Sequence, residues 1–202
     1  MTRSRLVAVA ALSLVASATP AYAAKKPVIC NLIKDTAGDA GLGGAAAAGT
    51  TYDPSLDILS ADLAVSSSML TAVIRVKDLT KDDTLAPTGR TWNISFTNGT
   101  QSVGMSAYLS PLGGEQFSTK KGVFDYAKDQ IRIHVALADI PNAKIKKGSV
   151  LRGFYLATNV VVGLDPSLNA GSSFAPLGGS TDSTTSTAAF TVGSLSCVKV
   201  GK

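Results

Sequence analysis

The chain has 202 residues, of which 45% are hydrophobic and 16% are charged, and its formal net charge is +5 at pH 7. A globular chain of this length can bury a substantial core and fits one domain. Removing the positive charges of Arg3 and Arg5 with the N-terminal segment described next lowers +5 to +3. So small an excess gives no indication of nucleic-acid binding, and no nucleic-acid partner is predicted.

The first 23 residues have the pattern of a secretory signal peptide. Arg3 and Arg5 provide a basic start, an apolar run follows, and Ala21-Tyr22-Ala23 is a small-x-small cleavage site. The apolar run is shorter than the roughly 20 residues of a membrane-spanning helix. The sequence therefore predicts cleavage after Ala23, an extracellular location, and a single mature domain over residues 24–202 that is free of the membrane.

The mature chain has two cysteines, Cys30 near its start and Cys197 near its end. In an oxidising compartment such a pair predicts one disulfide. Closing so long a loop stabilises the fold by about 5 kcal/mol in the chain-entropy treatment. A metal site would need more ligands than these two thiols and the single His134 supply.

The first predicted strands follow a loop rich in Gly, Ala and Asp over residues 35–54. Residues 56–66 and 69–76 form the opening pair, joined by a serine turn. In the second strand apolar residues occupy every other position from Leu70 to Val76. This alternation places one face in a core and leaves the other partly in water.

A clear hairpin follows, with Trp92, Ile94 and Phe96 on one face of its first strand. Asn98-Gly99 predicts a type I′ turn, because both central residues of that turn need a positive φ. Residues 115–126 resemble a further hairpin that turns at Lys121-Gly122.

The later part of the chain continues the strand pattern. Residues 130–138 alternate cleanly and place His134 on the outward face, exposed to solvent. Residues 150–162 form a long strand with a bulge near Gly153, and 163–187 is a long Gly/Ser/Thr/Pro loop. In total about nine or ten strands predict an all-β antiparallel sandwich with Greek-key or jelly-roll connections.

The order of several segments resembles a recurrent type of secreted bacterial sandwich. DTAGDA is followed by DPSLDILSADLA, LTAVIRVKDL and the pair FDY and IRIHVALADI. This order is similar to that of family 9 carbohydrate-binding modules and the related DOMON-like domains. The resemblance implies a non-catalytic, ligand-binding accessory module that can hold a structural calcium. The chain departs from sugar-binding members in having a single tryptophan.

Aspartates gather where the first strands begin. A calcium ion takes six to eight oxygen ligands, and two acidic loops brought together here would supply several of them. The candidate metal ligands are Asp35, Asp39, Asp53 and Asp57. The alternative is that these residues end loops through Asx turns or face water.

Three tyrosines, Tyr52, Tyr108 and Tyr126, are candidates for a sugar-binding surface, because aromatic faces stack on the apolar faces of sugars. Ordinary packing is the alternative for each of them.

Other chemistries have less support. A Ser-His-Asp hydrolase would need His134 as its base, and the chain lacks a G-x-S-x-G elbow. DOMON-like relatives that bind haem use a Met and a His as axial ligands, and the alternation here places Met105 and His134 on different faces. The leading hypothesis is therefore a ligand-binding module with a polysaccharide or cell-surface partner. The alternatives are a structural or protein-interaction domain and, third, a secreted hydrolase. The sequence predicts no oligomeric state.

Overall fold

In the part of the chain that it describes, the computed structural model shows eleven β-strands in two antiparallel sheets and one short 3₁₀ turn. It describes residues 31–41, 52–81, 88–110, 114–119, 121–140, 144–162 and 181–194, together with Val198 and Val200. The expected signal peptide lies outside the described residues, as do Cys30 and Cys197, so the disulfide stays a prediction. The all-β sandwich expected from the sequence is confirmed.

Sheet A contains five strands. In spatial order they are β1 (Ile33–Lys34), β2 (Ile58–Val65), β3 (Met69–Val76), β8 (Gln130–Ala136) and β7 (Gly122–Asp125).

Sheet B contains six strands. Its spatial order is β10 (Asp182–Ser186), β9 (Val150–Val162), β4 (Thr88–Asn98), β5 (Gln101–Leu109) and β6 (Glu115–Phe117), and β11 (Phe190–Thr191) pairs with the start of β9.

The core lies between the two sheets and follows the predicted alternation. The apolar positions of β3 from Leu70 to Val76 are at most 1% exposed. Trp92 of β4 packs edge-on against Phe124 of β7, with ring centroids 5.5 Å apart, and its indole N–H donates to the Ser55 carbonyl at 2.9 Å. Burying side chains of this size stabilises the fold by roughly 1.5–3 kcal/mol each.

The outward face of sheet A differs from the prediction. Thr71 and Val73 of β3 were expected partly in water and are fully buried. The predicted exposure of His134 is wrong, since this residue is 8% exposed and its Nδ1 lies 2.9 Å from Thr71 Oγ1. Burial lowers the pKa of His134, and the nearby charges of Arg132 and Lys121 lower it further. Alternation alone does not show when both faces of a strand are covered.

The β4–β5 turn lies one residue further along the chain than predicted. Asn98 pairs with Gln101, so the two loop residues are Gly99 and Thr100. Gly99 has φ 61° and Thr100 has no positive φ, which fits glycine at the first central position of a type II′ turn instead of type I′. The predicted bulge at Gly153 is confirmed by a positive φ and a register shift against β4.

Two predicted connections are corrected. Residues 115–126 are not a hairpin, because β6 pairs with β5 in sheet B whereas β7 pairs with β8 in sheet A. This segment instead carries the chain from one sheet to the other. The predicted loop 163–187 contains β10, which extends sheet B beside β9.

Candidate metal centre

The site lies at the edge where β1 of sheet A runs beside β10 of sheet B. Thr184 Oγ1 donates to the Lys34 carbonyl at 3.3 Å, and Ser186 Oγ donates to the Leu32 carbonyl at 2.8 Å. The Gly41 N–H donates to the Thr181 carbonyl at 2.8 Å. These bonds hold the loop after β1 against the start of β10.

Three carboxylates converge at this edge, and a fourth lies beside the loop that carries two of them. Oxygens of Asp35, Asp39 and Asp182 lie within 4.8 Å of one another. Asp57, directly before β2, joins them because its Oδ2 accepts a 2.8 Å hydrogen bond from Gly38 N–H, in the loop between Asp35 and Asp39. We call Asp35, Asp39, Asp57 and Asp182 the carboxylate cluster.

Two oxygens of the cluster are buried without a hydrogen-bond partner in the described structure. Asp57 is fully buried; its Oδ2 also accepts from the Tyr52 hydroxyl, and its Oδ1 has no partner. In Asp35, Oδ1 accepts from Thr36 N–H at 2.9 Å, and Oδ2 is buried without a hydrogen bond of regular geometry, although the side chains of Asp182 and Thr184 lie close enough to lower the pKa of this carboxyl. A buried carboxylate oxygen without a partner is costly, so a bound cation or a proton would stabilise these two oxygens.

The electrostatics of the cluster also favour a bound cation or a proton. Asp182 is 7% exposed, and its Oδ2 accepts from Ile58 N–H at 2.7 Å. Burial above all, and then the neighbouring carboxylates, raise the pKa of Asp182 to about 7. Burial and the charge of Asp39 likewise raise the pKa of Asp35. None of the ion pairs among the described residues involves the cluster.

The donor set fits a hard cation. The cluster offers carboxylate oxygens from three chain segments. A calcium ion takes six to eight oxygen ligands in total, from carboxylates, carbonyls and water. Thiolate and imidazole ligands, which zinc and copper prefer, are absent from the cluster. Partial burial and the hydrogen bond to Asp57 raise the pKa of Tyr52, so its hydroxyl stays a proton donor at the rim.

Asp53, the remaining predicted ligand, is engaged elsewhere. Its Oδ2 lies 2.6 Å from Arg90 Nε, and its Oδ1 accepts from Ser55 N–H at 2.9 Å. Both side chains of the ion pair are at most 3% exposed. The structure therefore brings Asp35, Asp39 and Asp57 together and assigns Asp53 a structural ion pair.

Asp182 is the member of the cluster that the sequence did not predict. It is the last acidic residue of the chain and is followed by Ser-Thr-Thr-Ser. This run of hydroxyl side chains has no apolar alternation that would predict a strand, and nothing local distinguishes this aspartate from a solvated one.

The three candidate tyrosines lie in different surroundings. Tyr52 is 43% exposed at the rim of the carboxylate cluster. Tyr108 is buried, with its ring against Gly89. The Tyr126 hydroxyl donates to Glu115 at 2.9 Å, under the ammonium of Lys81.

The described chain is thus an all-β sandwich with a partly buried carboxylate cluster at one edge, in which Asp57 and Asp182 are buried and Asp39 is exposed. Comparison of the sequence with the models of known protein families and with curated proteins found no match. The resemblance to family 9 carbohydrate-binding modules therefore stays a prediction. In the described part of the chain, no helix is both long and apolar enough to cross a membrane.

Proposed function

We propose that this protein is an exported, non-catalytic β-sandwich module that binds a calcium ion at the carboxylate cluster. The observation that carries the proposal is the pair of buried oxygens without a hydrogen bond, Asp35 Oδ2 and Asp57 Oδ1, at a site where the carboxylates of Asp35, Asp39 and Asp182 converge.

A calcium ion bound here would connect the two sheets. Asp35 and Asp57 belong to the sheet A side of the edge, whereas Asp182 begins β10 of sheet B. An ion bound only by the folded protein stabilises it by about 2.7 kcal/mol at a hundredfold excess over Kd. For a domain of this size that corresponds to a rise in Tm of roughly 5–10 °C.

A Ser-His-Asp hydrolase needs a serine and a carboxylate beside its histidine, and the described side-chain hydrogen bond of the single histidine is to Thr71 instead. His134 Nδ1 lies against Thr71 Oγ1 on the outward face of sheet A, and burial lowers its pKa. The resemblance noted in the sequence makes a polysaccharide or another cell-surface polymer the proposed ligand. A structural or protein-interaction domain without a small-molecule ligand is the alternative.

Thermal unfolding tests the calcium proposal. Chelator-treated wild-type protein should unfold at a higher temperature in calcium than in EGTA, and Asp57→Asn should abolish the difference. Asp125→Asn is the matched control, because Asp125 pairs only with the exposed Lys128 at the surface. An equal Tm for the wild type in calcium and EGTA would overturn the proposal.

Retention on insoluble polysaccharides tests the ligand separately. The protein is incubated with cellulose, chitin, xylan and peptidoglycan, each in calcium and in EGTA. Retention on one polymer supports the module. If the protein is retained on none of the four polymers, the structural or protein-interaction alternative is favoured. That result does not bear on calcium binding, which the thermal unfolding experiment tests separately.

A further inference from the structure

A second feature lies away from the carboxylate cluster, on the side of sheet B that carries β5 and β6. A cavity of about 490 Å³ runs along residues 102–105 of β5. Its other walls include Val135 at the end of β8 and Asp139 and Ile140 in the segment that follows. This volume is within the range of about 300–1,000 Å³ typical of ligand sites. We call this cavity the β5 slot.

The β5 slot lies beside the strand and not on one of its faces. Successive side chains of a strand point to opposite faces of the sheet. All four residues from Ser102 to Met105 nevertheless line the cavity. A cavity that contacts both sets of side chains must lie along the edge of the strand, where a neighbouring strand would lie.

The hydrogen bonding of β5 leaves this edge open. Asn98 and Gln101 flank the turn, so residues 101, 103 and 105 bond to β4 and the even-numbered residues point to the opposite edge. Ser106 shows this direction, because its N–H donates to Ser118 Oγ at 2.9 Å and its carbonyl accepts from Ser118 N–H at 3.0 Å.

No described strand continues this pairing towards the β4–β5 turn. β6 pairs with Ala107, Tyr108 and Leu109 only. The backbone N–H and C=O groups of Ser102 and Gly104 therefore face the β5 slot, beyond the end of β6. An open strand edge of this kind is a template for another chain.

We propose that the β5 slot is a strand-addition site, which binds an extended peptide segment of a partner protein beside residues 102–105. Four residues of β5 match a segment of about four residues, or roughly 13 Å at about 3.3 Å per residue. Main-chain hydrogen bonds supply affinity in this mode of recognition, and side-chain pockets supply specificity.

The slot also defines the chemistry of the peptide. Val103, Met105 and Val135 are buried to at least nine-tenths and form an aliphatic floor that accepts an apolar side chain. Asp139 is exposed and is the one charged residue in the described lining, so a lysine or arginine nearby in the peptide complements it. At Gly104 an added Cβ would meet nothing within 4 Å, so alanine fits at this position without a clash.

Fluorescence anisotropy tests this site with a labelled, end-capped seven-residue peptide in which valine alternates with threonine and lysine. Gly104→Pro removes the N–H that faces the slot, whereas Gly104→Ala retains it and is the matched control. Wild type and Gly104→Ala should bind alike, and Gly104→Pro should bind about tenfold more weakly. Asp139→Asn should remove the preference for this peptide over one with glutamate in place of lysine.

Amide hydrogen exchange of the wild-type protein gives a second readout that needs no variant. The peptide should protect the amides of Ser102 and Gly104, and a backbone N-methylated peptide should not. The proposal is overturned if the lysine peptide does not bind, if Gly104→Pro binds as tightly as Gly104→Ala, or if protection appears elsewhere. Binding should be the same in calcium and EGTA, so a failure here is separate from a failure at the carboxylate cluster.

Discussion

Substituting Asp182 should have opposite effects on stability with and without calcium. Asp182→Asn retains an oxygen that can accept from Ile58 N–H and removes one negative charge from the carboxylate cluster. Without calcium it relieves repulsion, so the free energy of unfolding should rise above neutral pH. With calcium it removes a ligand, so the free energy of unfolding should fall.

The pKa of Asp182 gives the magnitude of the calcium-free effect. Its ordinary value of 3.8 is raised to about 7 in the folded protein, so the folded protein binds this proton more tightly than the unfolded chain. The resulting stability is full below about pH 4 and is lost as the pH rises to about 7. Each tenfold change in proton affinity is worth about 1.4 kcal/mol, so the loss is at most about 4 kcal/mol. Asparagine does not titrate, so the Asp182→Asn variant should not show this loss of stability.

Urea unfolding followed by the fluorescence of Trp92 measures both effects. In EGTA, wild type and Asp182→Asn should have similar stability near pH 4, and the variant should be more stable near pH 8 by a few kcal/mol. In calcium near pH 8 the order should reverse. The reasoning is refuted if the two proteins have the same pH dependence in EGTA, or if the variant is the less stable one there at high pH.

Three further predictions concern the scaffold. Arg90→Ala leaves the buried carboxylate of its ion-pair partner without a cation and should lower the free energy of unfolding by about 3–5 kcal/mol in urea titrations. Gly122→Ala places a Cβ 2.2 Å from the Phe117 ring and should cost about 1–3 kcal/mol by the same measurement. If Cys30 and Cys197 form the predicted disulfide, reduction should lower Tm, and neither thiol should react with a thiol reagent in the unfolded, unreduced protein.

Matched controls separate these effects from general sensitivity to substitution. Gly104→Ala adds the same methyl group as Gly122→Ala, but into open space, so its effect on unfolding should be small. Arg152→Ala removes an arginine that is exposed in β9, and surface changes of this kind usually cost under about 0.5 kcal/mol. Equal losses in a variant and its control would contradict the packing or ion-pair explanation. Free thiols in the unreduced chain would contradict the disulfide.

Local patterns predicted the scaffold because the relevant forces act locally. The alternation from Leu70 to Val76 identifies the core face of β3, since side chains of a strand alternate between its faces. Gly153 indicated the bulge because a positive φ is accessible to glycine without strain. Three cluster residues, Asp35, Asp39 and Asp57, were predicted because their loops flank the first strands.

The remaining part of the site depends on contacts between distant segments. Asp182 meets Asp35 only because β10 lies beside β1, and the Ser/Thr sequence of β10 contains no apolar alternation that would predict a strand. Asp53 could not be separated from the calcium ligands by sequence, since its ion pair with Arg90 joins positions 37 residues apart. The burial of His134 is likewise a property of the tertiary structure and not of its own strand.

Calorimetric titration of the chelator-treated protein with calcium tests the central claim most directly. The wild type and Asp125→Asn should bind one calcium ion per chain, and Asp57→Asn should lose that binding. No heat and no change in Tm for the wild type would contradict a calcium site at the carboxylate cluster. Binding by Asp57→Asn with unchanged affinity would place the ion elsewhere.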